Sequence, residues 1–147
     1  MPRAKCQEFP KGFTLIEAMT VVTMMAIISA MAVPSFHRAI EESKADIAEA
    51  NLRAIWAAER FYWMANRRYT EDLHELVSQG LLDGSLTTTS IAYSYSVSTD
   101  TENASFTATA TRTGSSIWTG SYSVNELGVF SGAVRSDSEA DVVLSPQ

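Results

Sequence analysis

From Phe13 to Val33 the chain reads FTLIEAMTVVTMMAIISAMAV, an apolar run broken by one charge, Glu17. At about 1.5 Å of rise per residue, a helix of this length spans about 30 Å, the thickness of a bilayer's hydrocarbon core. After Pro34 the pattern changes. Apolar residues recur at helical spacing at Phe36, Ile40, Ile47, Ala50, Ala54, Ala58, Phe61 and Ala65, one face of an amphipathic helix. Arg38 and Glu42, and Glu49 and Arg53, stand four apart on positions expected to face solvent. The two segments together predict one helix of about fifty residues. It is expected to bend at Pro34, where the missing N–H and a clash with the Ala30 carbonyl break the ladder.

Arg67-Arg68-Tyr69 ends that helix, and Thr70 is the expected N-cap of a short second helix, TEDLHELVSQ, stopped by Gly80. Its apolar face is Leu73, Leu76 and Val77. Asp83-Gly84 marks a turn, and beyond Ser85 the composition shifts to Ser, Thr, Tyr and Val, which is strand territory. IAYSYSVS puts Ile91, Tyr93, Tyr95 and Val97 on one face; SFTATATR does the same with Phe106, Ala108 and Ala110. The polar TDTENA between them predicts an antiparallel hairpin. A third strand is expected near Gly120 to Val124, and a turn at Asn125 to Gly128 leads into a weaker fourth at Val129 and Phe130. From Ser131 the chain reads as a polar, acidic tail, with Val142 to Leu144 available as an edge strand. The predicted fold class is α+β: a long N-terminal spine helix, its outer half packed on a small antiparallel sheet of three to four strands. A chain of 147 residues needs only one such core.

Charge narrows the function. Arg3, Lys5 and Lys11 precede the apolar run beside only Glu8, which leaves 8 basic against 16 acidic residues in the rest of the chain. The basic leader places the N-terminus in the cytoplasm and the body outside. An acidic body repels phosphates, so no direct nucleic-acid binding is expected. The one cysteine, Cys6, can form neither an internal disulfide nor a repeated-ligand zinc site. There is no Gly-rich phosphate loop, nucleophile elbow or HExxH helix, and the sequence predicts no enzyme, no catalytic residue and no cofactor. His37 and His74 stand singly and read as surface or packing residues. Asp137, Glu139 and Asp141 alternate but match no calcium loop, so they read as a solvated tail and no metal site is expected. Trp56, Phe61, Tyr62 and Trp63 read as packing aromatics, and Asn103-Ala104-Ser105 as a chance glycosylation match.

Three readings of the N-terminus compete. Ala30-Met31-Ala32 is an A-x-A signal-peptidase pattern, and cleavage after Ala32 would release a secreted or periplasmic binding protein beginning at Val33. An unprocessed single-span membrane protein would keep its leader. The third rests on Lys11-Gly12-Phe13-Thr14-Leu15-Ile16-Glu17, which follows a basic leader and opens the apolar run. This string resembles the class III signal of type IV pilins and type II secretion pseudopilins. The resemblance implies that a prepilin peptidase cuts after Gly12 and that Phe13 becomes the N-methylated first residue. Glu17 then takes the place of the family's assembly glutamate, and Pro34 that of its helix-bending proline. It divides the chain into a leader (1–12), a transmembrane half-helix (13–33), an amphipathic half-helix (34–66) and a head (67–147). It also implies storage in the inner membrane as a single-pass protein. An assembly ATPase and a platform protein then extract the subunit into a polymer with itself and related pilins. That polymer is a pilus serving adhesion, motility or DNA uptake, or a pseudopilus exporting folded proteins. A cut before Phe13 creates an α-ammonium, and Glu17 lies one helical turn further on. When chains stack out of register, one subunit's ammonium can meet its neighbour's Glu17, and an unpaired charge in an apolar fibre would cost several kcal/mol. The chain lacks the C-terminal cysteine pair of many pilins of this kind.

Overall fold

The apolar run and the amphipathic segment form a single helix, α1 (Leu15–Asn66), in the computed structural model. The structure describes residues 12–88, 92–100, 102, 104–137 and 143–146, without the side chains of 31–35. Pro34 therefore lies inside α1, with its side chain outside the described residues. The chain divides into two units, Met1–Ala39 and Ile40–Gln147. In the first, the apolar side chains of α1 up to Ile28 are exposed. Among the described residues no helix is long and apolar enough to cross a membrane.

In the second unit the remaining length of α1 supplies one wall of the core. Ala48, Leu52, Ile55, Ala58 and Tyr62 are buried at spacings of three and four. This corrects the face expected from sequence. Of the eight apolar positions named above, only Ala58 is buried, whereas Ile47 and Phe61 are 58% and 60% exposed. The helix is apolar on two sides, and the pattern drawn through Phe36, Ile40, Ile47 and Phe61 follows the outward one. The solvated pair is also half-corrected: Glu49 is buried while its partner Arg53 stays exposed.

The sheet opposite α1 has five antiparallel strands in sequential order, one more than the upper expectation. They are β1 (Tyr93–Thr99), β2 (Phe106–Arg112), β3 (Trp118–Asn125), β4 (Phe130–Ser136) and β5 (Val143–Leu144). The expected hairpin is there, with Tyr95 opposite Ala110 and Val97 opposite Ala108. Tyr93, Val97, Phe106, Ala108 and Ala110 face the core, as the alternation requires. Ile91 and Val142 lie outside the described residues. The largest departure is β4, which takes in the first six residues of the expected tail. Its sequence FSGAVRS offers Val134 as the one large aliphatic, so it carries almost no hydrophobic signal; pairing with β3 on one side and β5 on the other makes it a strand. Gly120 and Gly132 sit at positive φ across this ladder, and a Cβ at either would run into the facing carbonyl, of Ala133 and of Ser121 respectively. Only glycine fits both positions.

The second helix, α2 (Leu73–Ser78), is shorter than expected, and its N-cap is Asp72, whose carboxylate accepts from His74 N at 2.8 Å. Thr70 instead closes the turn before it: its hydroxyl accepts from Asp72 N and donates to Glu75.

Two buried carboxylates differ sharply in their surroundings. Glu41 meets Arg112 of β2 in a two-pronged pair, Nε to Oε2 at 3.0 Å and the terminal nitrogen to Oε1 at 2.9 Å. Both side chains are at least nine-tenths buried. Burial alone would raise the Glu41 pKa, but the hydrogen bonds from Arg112 and Lys44 outweigh it and hold the carboxyl below its usual range. Glu59 has no cation paired with it among the described residues. One oxygen accepts from Thr70 N at 3.2 Å, and the other is buried with no partner among the described residues. Burial, opposed by the Thr70 bond and reinforced by the charge of Glu75, pushes its pKa up to about 7.

Removing one partner of the Glu41 pair leaves a buried charge, so Arg112→Met is expected to cost about 3 to 5 kcal/mol in urea unfolding. The Glu59 contribution has the opposite sign. The unfolded chain releases this proton near pH 4.5 and the folded one only near 7, so Glu59 erodes stability as pH rises between those values. Glu59→Gln is expected to flatten that fall and to be more stable than the parent at pH 8 by about 1 to 3 kcal/mol, measured by denaturation across pH.

Candidate functional site

The first described residues, Gly12, Phe13 and Thr14, precede α1 outside any helix or strand, and Phe13 is 71% exposed. A Cβ at Gly12 would meet nothing within 4 Å. Thr14 caps the helix: its hydroxyl accepts from Glu17 N at 3.3 Å and reaches Glu17 Oε2 at 3.4 Å. Its carbonyl accepts from the N–H groups of Glu17 and Ala18. Thr-x-x-Glu is a capping-box spacing, so the carboxylate of Glu17 sits in the first turn, where the helix dipole favours it. The same string carries this local role through its Thr-x-x-Glu spacing.

Around this turn the surface is apolar: Leu15, Ile16, Met19 and Val22 are each more than three-fifths exposed. The two threonines in this stretch do not disturb it. Thr20 Oγ1 donates to the carbonyls of Ile16 and Glu17, and Thr23 Oγ1 to those of Met19 and Thr20, at 2.9 to 3.1 Å. Their hydroxyls are satisfied inside the helix.

In the second unit α1 turns a further apolar row outward, Ile40, Ile47, Phe61 and Met64. The aromatics divide between faces: Tyr62 is fully buried, Trp56 and Trp63 are half-buried, and Phe61 is exposed. His37 and His74 are both exposed. Among the described residues no His, Cys, Asp and Glu group is placed to hold a metal ion. Asn103, Glu139 and Asp141 lie outside those residues, as does the leader up to Lys11.

A sequence profile of the family described as type IV minor pilin ComP, DNA uptake sequence receptor, matches residues 34–120. The chain belongs to this pilin family. A second profile, the prokaryotic N-terminal methylation motif, matches residues 10–33 of the pilin, the stretch holding Gly12, Phe13 and Glu17. The pilin is similar to the type IV major pilin protein PilA of Myxococcus xanthus, 36% identical over 66 residues, which are 45% of this chain and 30% of that one. It is similar to the type II secretion system core protein G of Pseudomonas aeruginosa, 38% identical over 58 residues, or 40% and 41% of the two chains. The type IV wide pilus major component PilA4 of Thermus thermophilus is 32% identical over 71 residues, 48% and 54%. The matched stretches thus span between about a third and a half of these relatives. The α+β architecture of long helix and antiparallel sheet is the one the pilin resemblance implied.

Proposed function

We propose that this pilin is a structural subunit, not an enzyme, that polymerises with copies of itself and related pilins into a type IV pilus. The observation that carries the reading is the methylation motif over residues 10–33, joined to a helix whose outward face stays apolar. A prepilin peptidase cuts after Gly12, and the new terminus at Phe13 is methylated. Residues 13–33 hold the subunit in the inner membrane with its N-terminus in the cytoplasm. An assembly ATPase and platform protein lift it into the fibre, where the Phe13 ammonium of one copy meets Glu17 of the next. Pro34 supplies the bend that lets neighbouring spines nest. The fibre serves adhesion, motility or DNA uptake. A second reading, a pseudopilus subunit exporting folded proteins, is favoured by the similarity to core protein G. Although the family description includes a DNA uptake sequence receptor, this chain carries a net charge of −6, a field that repels DNA phosphates. We therefore propose a fibre-building role with no direct DNA contact.

Mass spectrometry of the N-terminal peptide from native membranes is expected to give a chain beginning at N-methylated Phe13. A start at Val33, or an intact leader, would refute the pathway. Glu17→Ala is expected to leave membrane insertion and cleavage intact and to lower incorporation into sheared fibres by about tenfold or more, since an unpaired ammonium in an apolar core costs several kcal/mol. Normal fibre yield from the variant would remove the charge pair from the reading.

A further inference from the structure

The pairing of β1 with β2 decides which way each backbone group of β1 points. Thr113 N donates to Ala92 O at 2.9 Å and Asp100 N to Ser105 O at 3.3 Å, just beyond the two ends of the ladder. Antiparallel strands alternate between hydrogen-bonded and non-hydrogen-bonded pairs, so Ser94, Ser96 and Ser98 bond across to β2 in the same series. The N–H and C=O groups of Tyr93, Tyr95, Val97 and Thr99 therefore face away from β2, off the sheet, because β1 is its first strand. Thr99 N accordingly donates outside the ladder, to the Glu71 carboxylate at 3.1 Å. On that side the backbone groups of Tyr93, Tyr95 and Val97 have no partner among the described residues.

Natural sheets blunt such edges with a very short strand, a Lys or Pro, or a bulge. The opposite edge is of this kind, since β5 is two residues long. β1 uses none of these devices. It runs seven residues, YSYSVST, without charge or proline, and pairs with β2 residue for residue. Beside it a groove of about 250 Å³ opens toward the start of α2. Leu73, Tyr95 and Val97 supply its apolar lining, and Glu71, His74 and Thr87 its polar one.

The surroundings carry one sign of charge. Between Arg68 and Arg112 the chain has no Lys or Arg but six carboxylates, Glu71, Asp72, Glu75, Asp83, Asp100 and Glu102. Arg68 itself is engaged with the Tyr62 hydroxyl, and Arg112 with Glu41. Glu71, Asp72, Asp100 and Glu102 are exposed around the Thr99 end of the edge. We propose that the open edge of β1 is a docking site for an extended, Lys- or Arg-bearing peptide segment of a partner protein, which adds to the sheet as a further strand. Its main chain takes up the free groups of Tyr93, Tyr95 and Val97, an apolar side chain packs on Leu73 and Val97, and its cations face Glu71 and the neighbouring acids. The site lies within the second unit and does not depend on the fibre reading.

The test is amide hydrogen exchange, read by NMR on the full chain in detergent micelles, with the synthetic peptide acetyl-Lys-Val-Lys-Val-Lys-Val-Lys-amide as probe. At saturation the Tyr95 and Val97 amides are expected to slow by about tenfold or more, while Ser96 and Ser98, already in the ladder, change by less than about twofold. N-methylating one alternate set of peptide amides is expected to lower affinity by about tenfold or more, and the other set by less than about twofold. Glu in place of Lys throughout the probe is expected to cost about tenfold. Glu71→Gln, which keeps an acceptor for Thr99, is expected to cost about threefold. No slowing at Tyr95 and Val97 with the probe at millimolar concentration, or binding that neither N-methylated peptide weakens, overturns the docking. Slowing of the same amides without peptide, growing with protein concentration, assigns the edge to a second copy and overturns it as well.

Discussion

The position of α1 over the sheet is set by a short series of polar contacts, and the buried pair of Glu41 with Arg112 is the most demanding of them. Two charges at least nine-tenths removed from water tolerate no slippage, because either one unpaired costs more than the pair gains. Arg112 leaves little freedom of its own: it lies 5.6 Å over the Tyr93 ring and also donates to the carbonyls of Ala92 and Thr113. Once that end is fixed, Asn51 meets Tyr95, Trp56 meets Glu126 and Glu59 meets Thr70, each further along the helix. The aliphatic residues between these points, Ala48, Leu52 and Ile55, are fully buried. They do not discriminate between neighbouring registers of a smooth apolar stripe, and the polar contacts do.

How far the sequence could be read follows from which physical signal each element emits. The spine and the hairpin of β1 and β2 emit strong periodic ones, an apolar run and the alternations YSYSV and FTATA, and both stand close to where the pattern puts them. The Asn125–Gly128 turn was legible because the Asn side chain can close it, and Asn125 Oδ1 does accept from Leu127 N and Val129 N. β4 emits nearly nothing, because Gly132 is needed there for close backbone approach to β3 and its neighbours Ser131 and Ala133 carry little hydrophobic signal. The helical face was misassigned for a different reason. Periodicity reports that a face is apolar but not what covers it, and α1 has two such faces. Glu59 is the sharpest miss: a glutamate among Ala, Arg and Phe on a helix reads as solvated, and only the fold shows that it points inward. At the N-terminus the reverse holds, since Gly12, Phe13 and Glu17 are legible as a string while all three stand exposed at the end of α1.

Glu59 also shifts the balance of the head. Its raised pKa lowers stability toward neutral pH, while the lowered values of Glu41, Glu71, Asp83 and Asp100 lower it as those groups protonate in acid. On these groups alone the head is expected to be most stable between these limits, below pH 7. Such a buried acid is poorly suited to raising stability and well suited to keeping the loop after α1 in place, since Thr70 N and, through Thr70 Oγ1, Glu75 depend on that corner.

The two threonines near the start of α1 have a consequence for transfer between phases. Each hydroxyl is already bonded to a carbonyl of the preceding turn, so it would need no new partner on passing from one apolar medium to another. From Leu15 to Thr23 Glu17 is the one charged side chain. On the proposed fibre reading, the change of surroundings at this end of the helix therefore falls on the Glu17 carboxylate and the ammonium it would meet.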